Sequence, residues 1–276
     1  MSKTDIFFTE KEDLISIINN NLPNVINVYK IATGWTNIVF DVNTKDGSYI
    51  FRFPRNSFFS KEIEKDVKIN HFLKQNIKIK TTDMNIKYDN RRPFSIHKKI
   101  DGFTLNNKIS LLNNTEKTKI IKEIAQFFIQ LHNLDIKKLP HFCKYSLSDF
   151  LLRLAKLTEI EDYDISGIEE LQKDEKINPV FVHGDLNDGN ILIDNNNNIC
   201  AFIDFAFCGI ADIYCDLTRI STRVNEEFLN ELLHTYEKLA NIKLDKNKIK
   251  SRIKMWHTVD NNYKIYMSKK FPEVHF

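Results

Sequence analysis

The chain has 276 residues, of which 42% are hydrophobic and 12% aromatic, so it can bury one or two sizeable cores. Its formal net charge of +3 is too small to indicate a nucleic-acid or membrane surface, and its Lys and Arg residues are scattered among carboxylates. The four cysteines form no C-x-x-C pair, which argues against a zinc site and favours buried thiols in a reducing compartment.

The sequence also carries no targeting or membrane signal. The N-terminal residues have no apolar segment behind a basic start, and no apolar run approaches the ~18 residues that a membrane helix needs. We therefore expect a cytoplasmic protein that contacts neither membrane nor nucleic acid. The sequence sets no expectation for the oligomeric state.

The N-terminal part of the chain predicts a short helix followed by a sheet. Residues 10–22 have apolar side chains at helical spacing, and Pro23 ends this helix. Alternating β-branched and aromatic residues then predict antiparallel strands. These strands are expected at roughly 26–33, 37–44 and 48–53.

The turn between the first two strands is a candidate nucleotide contact. It contains Gly34, Thr36 and Asn37, and its backbone amides could cover the phosphates of a nucleotide. A single glycine in a hairpin more often marks a plain turn, and the G-x-G-x-x-G pattern is absent. Both interpretations stay open at this point.

A cation near the end of the third strand is a second candidate. Arg52 would face either a cleft or the solvent, given the alternation of a strand. Residues 59–75 predict a helix on which Glu62 and Asp66 share one face. If Arg52 contacts the α- and β-phosphates, Asp66 is the better placed acid to hold it, because apolar residues continue its stripe. Solvated positions for these charges are the alternative.

A further hairpin is predicted at about 84–100, and Gly102 permits the chain to reverse after it. The strand that precedes this reversal could leave an exposed edge. Such an edge offers N–H and C=O groups to an adenine or guanine ring, although it could equally be an ordinary edge.

The C-terminal part is predicted to be mainly helical. One helix is expected to be capped by Thr115. Further helices are expected at 146–158, 224–240 and 245–268. The segment from Asp149 to Glu175 contains nine carboxylates against three Lys and Arg residues. This excess either attracts a polycationic substrate or is a solvated helix surface.

The chemistry is predicted to lie between Phe181 and Ala206, which read as short strands separated by a polar turn and an Asn-rich turn. Phosphoryl transfer needs an acceptor for a hydroxyl proton, ligands for magnesium and a rigid mount for both. Asp185 could orient a substrate hydroxyl. Asn190 and Asp204 could offer an amide oxygen and a carboxylate to a hard cation.

His183 and Asp212 are expected to brace this segment through hydrogen bonds. The alternative for the whole segment is a polar turn between core strands, since short motifs can arise by accident. An EF-hand loop is excluded. Counted from Asp185, its sixth position is Asn190 instead of glycine and its twelfth is Asn196 instead of glutamate.

These residues make the chain resemble the aminoglycoside phosphotransferases, small-molecule kinases with the protein-kinase-like fold. The motifs that carry the resemblance are His183-Gly-Asp185-x4-Asn190-Ile-Leu and Ile203-Asp204-Phe205. The resemblance implies a bilobal α+β fold. Residues 1–100 would form a nucleotide-binding lobe with an antiparallel sheet and a helix, and residues 101–276 a larger, mainly helical lobe for catalysis and substrate binding.

The resemblance also implies roles for single residues. Asp185 would be the catalytic base, Asn190 and Asp204 the ligands of Mg²⁺, and the segment from Lys98 to Ile100 the hinge that presents backbone groups to the purine of ATP or GTP. Besides Ala206, which stands where glycine or another small residue often follows the Asp-Phe pair, two residues depart from the family pattern. Arg52 stands where a phosphate-binding lysine is usual, and Asp66 where a glutamate is expected. The longer cation with the shorter acid could preserve the reach, but guanidinium and ammonium are not interchangeable.

The predicted function is therefore transfer of the γ-phosphate of ATP or GTP to a hydroxyl of an aminoglycoside, a small cationic molecule, with antibiotic resistance as the consequence. Several features resemble the subgroup that acts on the 2''-hydroxyl. Choline or ethanolamine kinases, homoserine kinases and sugar kinases share the same motifs and are alternatives. A pseudokinase that binds nucleotide without chemistry is a further alternative.

Overall fold

The structure is a computed structural model that describes residues 8–9, 13–31, 36–78 and 81–271. Its N-terminal part contains five strands and two helices within the described ranges. In chain order they are α1 (Leu14–Asn21), β1 (Val25–Ile31), β2 (Asn37–Thr44), β3 (Gly47–Pro54), α2 (Ser57–Asn76), β4 (Met84–Asp89) and β5 (Arg92–Lys98). The predicted strands and helices all occur here, with ends that differ by a few residues.

The five strands form one antiparallel sheet in the order β1-β2-β3-β5-β4. Strand alternation sorts its residues between two faces. One face is apolar, and α1 and Phe8 cover it. Its buried side chains include Phe40, Val42, Phe51, Phe53 and Phe94. Arg52 lies between two of these phenylalanines in sequence, so its side chain points from the opposite face, toward α2.

The C-terminal part is mainly helical, as predicted. Its elements are β6 (Phe103–Thr104), α3 (Asn114–His132), α4 (Leu147–Thr158), α5 (Ser166–Ile177), β7 (Val180–Val182), β8 (Ile191–Ile193), β9 (Ile199–Phe202), β10 (Gly209–Ala211), α6 (Ile213–Arg219), α7 (Glu226–Ala240) and α8 (Lys246–Lys270). The fold is therefore α+β with the expected N-terminal sheet and helical C-terminal part, whereas the division at residue 100 stays a prediction.

The N-terminus of α3 differs from the sequence prediction. The cap is Asn113 and not Thr115, because the Asn113 side chain accepts a hydrogen bond from the Glu116 N–H and the Glu116 carboxylate accepts one from the Asn113 N–H. Such a reciprocal capping box satisfies two N–H groups that the helix itself leaves unpaired. Thr115 lies inside the first turn.

Short strands hold the predicted catalytic segment between two cores. Strand β7 pairs with β10, and β8 pairs with both β6 and β9. One core packs α3 and α7 against β7, β8 and β9, and the other packs α4, α5, α6 and α8 against β7 and β10. All four cysteines are buried free thiols. Within the described ranges, no helix combines the length and the apolarity that crossing a bilayer requires.

Candidate active site

The loop after β7 carries His183, Gly184 and Asp185, and its backbone is tightly constrained. Gly184 has a φ of +78°, a left-handed conformation that side chains disfavour. A Cβ atom at this position would lie 2.5 Å from the carbonyl oxygen of Phe207. Glycine is therefore required here for two reasons, the backbone angle and the close approach of a neighbouring chain segment.

Asp216 on α6 holds this loop through two hydrogen bonds to its backbone. Its Oδ2 atom accepts a hydrogen bond of 2.9 Å from the His183 N–H, and its Oδ1 atom accepts one of 2.8 Å from the Gly184 N–H. Asp216 is fully buried and also contacts His132 Nε2 at 3.2 Å. Two hydrogen bonds to consecutive N–H groups fix the direction in which the next residue, Asp185, leaves the loop.

The bracing contacts expected of Asp212 are thus made by Asp216. Asp212 caps α6 by accepting a hydrogen bond from the Cys215 N–H, and it pairs with Arg252 on α8. The physical reason is the helical turn between the two acids. Asp212 lies at the start of α6, whereas Asp216 lies one turn later and reaches the loop after β7.

His183 links this loop to the end of the following hairpin. Its Nδ1 atom accepts a hydrogen bond from the Asp185 N–H at 3.2 Å, and Nε2 lies 3.2 Å from the carbonyl oxygen of Ile203. Burial lowers the pKa of His183, so its ring is neutral. A neutral ring that donates through Nε2 and accepts through Nδ1 satisfies both contacts.

Asp185 has one oxygen engaged and one directed elsewhere. Its Oδ1 atom accepts hydrogen bonds from Arg219 Nε at 2.7 Å and from Asn187 Nδ2 at 3.4 Å. No described residue donates to Oδ2. Burial raises the pKa of Asp185 to about 6, although the positive charge of Arg219 opposes this rise. The result is an oriented carboxylate with one basic oxygen left over.

Asn190 and Asp204 lie beside it. Asn190 Nδ2 donates to the backbone carbonyl of Asp185 at 2.8 Å, which leaves the amide oxygen for another partner. Asp204 follows β9 in a left-handed conformation with a φ of +64°, and its side chain is 34% exposed. Its Oδ1 atom accepts a hydrogen bond from Arg52 Nη2 at 3.0 Å. Asn190 and Asp204 thus present oxygen atoms from two adjacent strand ends.

Arg52 on β3 bridges the carboxylates of Asp66 and Asp204. Its Nη1 atom lies 2.5 Å from Asp66 Oδ2 on α2, and Nη2 donates to Asp204. Burial alone would lower the pKa of Arg52, but the carboxylates of Asp204 and Asp66 more than offset this and raise it. Asp66 is itself fixed, because its Oδ1 atom accepts hydrogen bonds from the Phe205 N–H and from Asn70 Nδ2.

Arg52, Asp185, Asn190 and Asp204 line one cleft of about 420 Å³ between the sheet and the helices. Thr36 and Asn37 line the sheet side of the cleft together with Arg52. Its other polar and charged lining residues include Asp188, Arg219, Arg223, Asp260 and Lys264. Gly34 falls outside the described residues. Lys98 and Ile100 are not among the described residues that line this cleft, and Lys98 instead pairs with Tyr49 in the sheet.

The acidic segment of residues 149–175 contributes Leu154 to the wall of the cleft but none of its described carboxylates. Asp174 pairs with Arg252 and Lys248, and Glu175 accepts hydrogen bonds from the hydroxyl groups of Ser146 and Ser148 at the start of α4. None of the described carboxylates of this segment lines the cleft. Asp174 and Glu175 hold helices together, and the attraction of a cationic substrate by the acidic excess stays a prediction.

Three residues of the site were missed by the sequence reasoning or not given a role. Arg219 contacts Asp185, Asp216 holds the loop, and Asp260 on α8 contacts Arg219 at 3.0 Å. The only sequence signal for any of the three is that Asp216 follows Asp212, an acid already expected to brace the loop, by four residues. Nothing in the spacing of Arg219 or Asp260 marks them, because they reach the site from separate helices.

A scan against protein-family models gives the decisive comparison. The model described as the phosphotransferase enzyme family matches residues 28–246, which is most of the chain. The chain belongs to this family. The phosphotransferase motifs that suggested the resemblance therefore lie on a chain whose whole central part matches the family.

Solved structures share the fold of this phosphotransferase at low sequence identity. The GDP and kanamycin complex of APH(2'')-IIIa matches with a TM-score of 0.72 and 18% identity, and the match covers 95% of this chain and 94% of that one. The streptomycin and ATP complex of APH(2'')-IIa matches with a TM-score of 0.65 and 18% identity over 92% and 91% of the two chains. APH(3'')-Id from Streptomyces rimosus matches with a TM-score of 0.69 and 15% identity, and the match covers 91% of this chain and 98% of that one.

Proposed function

We propose that this phosphotransferase moves the γ-phosphate of a purine nucleoside triphosphate, ATP or GTP, to a hydroxyl group of an aminoglycoside. The observation that carries the proposal is the state of Asp185. One of its oxygens is held by Arg219, the other is left uncommitted, and the same cleft contains the oxygen atoms of Asn190 and Asp204. A base and cation ligands on rigid mounts are what phosphoryl transfer requires.

The donor would bind across the sheet side of the cleft. Arg52 lies near Thr36 and Asn37, so it is placed to contact phosphates while Asp66 fixes its guanidinium. Nucleotides occur in the structures of relatives with this fold, as GDP and as ATP. We propose that the purine contacts the hinge at Lys98–Ile100. The phosphates would contact the turn that contains Gly34.

The residues present suit magnesium that arrives with the nucleotide. No cluster of three or more His, Cys, Asp or Glu side chains able to hold a metal ion occurs among the described residues. Magnesium typically takes one or two protein carboxylates together with phosphate oxygens and water. Asn190 and Asp204 match that donor set, and Asp204 keeps one oxygen away from Arg52. When bound, Mg²⁺ would neutralise negative charge on the phosphates.

The transfer itself needs little from the protein beyond position and charge. The acceptor hydroxyl donates a hydrogen bond to Asp185 Oδ2, which aims its oxygen at the γ-phosphorus. The new oxygen–phosphorus bond forms as the bond to the leaving diphosphate breaks, and the hydroxyl proton passes to Asp185. Burial favours this role because it raises the pKa of the carboxyl to about 6, which makes the ionised form a better base near neutral pH.

Several observations support an aminoglycoside as the acceptor. Kanamycin, streptomycin and gentamicin occupy relatives that share this fold. In this chain the cleft places Asp188 and Asp260 near Asp185, and carboxylates are the natural partners of a polyamine sugar. The aromatic residues Trp256 and Tyr263 form the wall beyond them.

A choline-type acceptor has less support. Its quaternary ammonium would need an open aromatic cage, for which α8 offers Trp256, Tyr263 and Tyr266. The Arg219 guanidinium already lies 4.8 Å from the centre of the Trp256 ring. Tyr266 is buried in the core and is not among the described residues that line the cleft.

A metabolic kinase of the homoserine or sugar type is the second candidate. The cleft contains Arg223 and Lys264 as well as carboxylates, so it could also hold an acceptor that carries an anionic group. Release of nucleoside diphosphate should be measured with kanamycin, gentamicin, choline and homoserine, using both ATP and GTP. We expect turnover with an aminoglycoside, and turnover with choline or homoserine alone would contradict the proposal.

A further inference from the structure

Arg219 connects the predicted base to the helix that forms the far wall of the cleft. It is the last residue of α6, and its side chain is only 8% exposed. Its Nε atom donates to Asp185 Oδ1 at 2.7 Å, and Nη1 donates to Asp260 Oδ2 on α8 at 3.0 Å. The guanidinium also lies over the ring of Trp256 on the same helix.

We propose that Arg219 is a positioning residue that sets the orientation of Asp185 and couples it to α8, the helix against which the acceptor would lie. This inference rests on the proposed function, in which Asp185 accepts the proton of the acceptor hydroxyl. Arg219 itself touches neither the donor phosphates nor the reacting oxygen in this scheme.

The first step of the argument concerns the two oxygens of Asp185. A carboxylate attached by one side-chain bond can rotate, so both oxygens compete for the acceptor hydroxyl. Arg219 engages Oδ1 with a short, charge-assisted hydrogen bond, whereas the remaining contact, from Asn187, is 3.4 Å long. Arg219 therefore selects Oδ2 as the oxygen that faces the acceptor. Loss of Arg219 would leave this choice to the weaker Asn187 contact.

The second step concerns α8. Five residues of this helix line the cleft: Trp256, Val259, Asp260, Tyr263 and Lys264. Two of them hold Arg219, one through an ion pair and one through its aromatic ring. A shift of α8 when an acceptor binds would therefore move the same guanidinium that orients Asp185. Arg219 is thus expected to influence kcat and the KM for the acceptor, but not the KM for the nucleotide.

The third step separates positioning from a structural ion pair. The tie between α6 and α8 exists without Arg219, because the fully buried Arg252 on α8 pairs with Asp212 at 2.7 Å and with Asp174 at 2.6 Å. Arg252 is not among the described residues that line the cleft. It is therefore a matched control: a buried arginine that pairs with Glu170 and Asp174 on α5 and with Asp212 at the N-cap of α6, but does not contact the base.

The test measures kcat, both KM values and the melting temperature for Arg219→Met, Arg219→Lys and Arg252→Lys, each in the wild-type and in the Asp185→Asn background. We expect Arg219→Met to lower kcat ~100-fold in the wild-type background, as misplacement of a reacting group does. The KM for the nucleotide should change less than ~2-fold. In the Asp185→Asn background the same substitution should lower kcat less than ~3-fold, because the effects of residues that act as a unit are not additive.

Arg219→Lys should recover part of the loss, with kcat ~10-fold below wild type, since lysine retains the charge without the fork. If Arg219→Met does not fold, the kinetics of Arg219→Lys test the inference instead. Arg252→Lys should lower the melting temperature but change kcat less than ~2-fold in either background.

The inference would be overturned if the Arg219 substitutions lowered kcat equally in both backgrounds and lowered the melting temperature as Arg252→Lys does. Arg219 would then be a structural ion pair. Wild-type kcat in both Arg219 variants beside an inactive Asp185→Asn variant would overturn it too, while leaving the role of Asp185 intact. Wild-type turnover by Asp185→Asn would instead refute the proposed function, and the inference with it.

Discussion

At the scale of single residues, Arg52 and Asp66 stand where the resemblance led us to expect a lysine and a glutamate, and Arg52 is held by two carboxylates. Arg52 reaches Asp66 and Asp204 at once, which a guanidinium can do because its donors form a fork. A lysine presents a single ammonium and would have to choose between the two acids. The shorter Asp66 leaves room for the longer arginine, so the two departures compensate for each other in length.

This compensation predicts a reciprocal rescue. Arg52→Lys should raise the KM for the nucleotide ~10-fold, or about 1.4 kcal/mol, because the shorter cation cannot reach Asp66 and the phosphates together. Asp66→Glu alone should also impair binding, since it overfills a fully buried position. The double variant should return to within ~3-fold of wild type, as measured by steady-state kinetics. A double variant weaker than both single variants would show that length is not what links the pair.

At the scale of elements, the loop after β7 is built from a glycine and a buried acid from another helix. Asp216 accepts hydrogen bonds from two consecutive N–H groups, and Gly184 allows the backbone to turn between β7 and Asp185. The loop thus depends on α6 for its shape. Disturbing it should affect stability and catalysis together.

Gly184→Ala tests this dependence. A Cβ atom would lie 2.5 Å from a backbone oxygen that belongs to Phe207, and the left-handed φ adds strain, so we expect a loss of about 1–3 kcal/mol in the free energy of unfolding. Denaturant unfolding measures this loss, and kcat should fall with it.

Gly189→Ala is the matched control in the same loop. There a Cβ atom would meet only the side-chain oxygen of Asn187 at 3.0 Å, and that side chain can shift. We expect a change of less than about 1 kcal/mol in the free energy of unfolding. If the two alanine variants were equally stable, Gly184 would not be the constraint described above.

At the scale of the whole molecule, local pattern predicted the fold well. The strands and helices follow from alternation and helical spacing, and the family motifs occupy short strands and turns whose residues are close in sequence. Asp185, Asn190 and Asp204 lie within one stretch of the chain, so their convergence on a cleft was accessible from the sequence.

Contacts between separate helices were not accessible. Arg219 meets Asp260 across 41 positions of the chain, and nothing in either helix records that pairing. Two acids of the acidic segment show the same limit, because Asp174 pairs with Arg252 and Lys248 and Glu175 accepts a hydrogen bond at the start of α4. Composition reports how many charges a segment has, whereas packing decides where they point.

The most direct test of the account is the turnover of Asp185→Asn beside that of Asp194→Asn, an isosteric change of an acid in the exposed turn between β8 and β9. We predict that Asp185→Asn lowers kcat for phosphate transfer to an aminoglycoside ~1000-fold, a loss typical of a general base, with the nucleotide Kd within ~2-fold of wild type. Asp194→Asn should retain wild-type turnover. Near wild-type turnover by Asp185→Asn, with nucleotide binding unchanged, would contradict the assignment of the base.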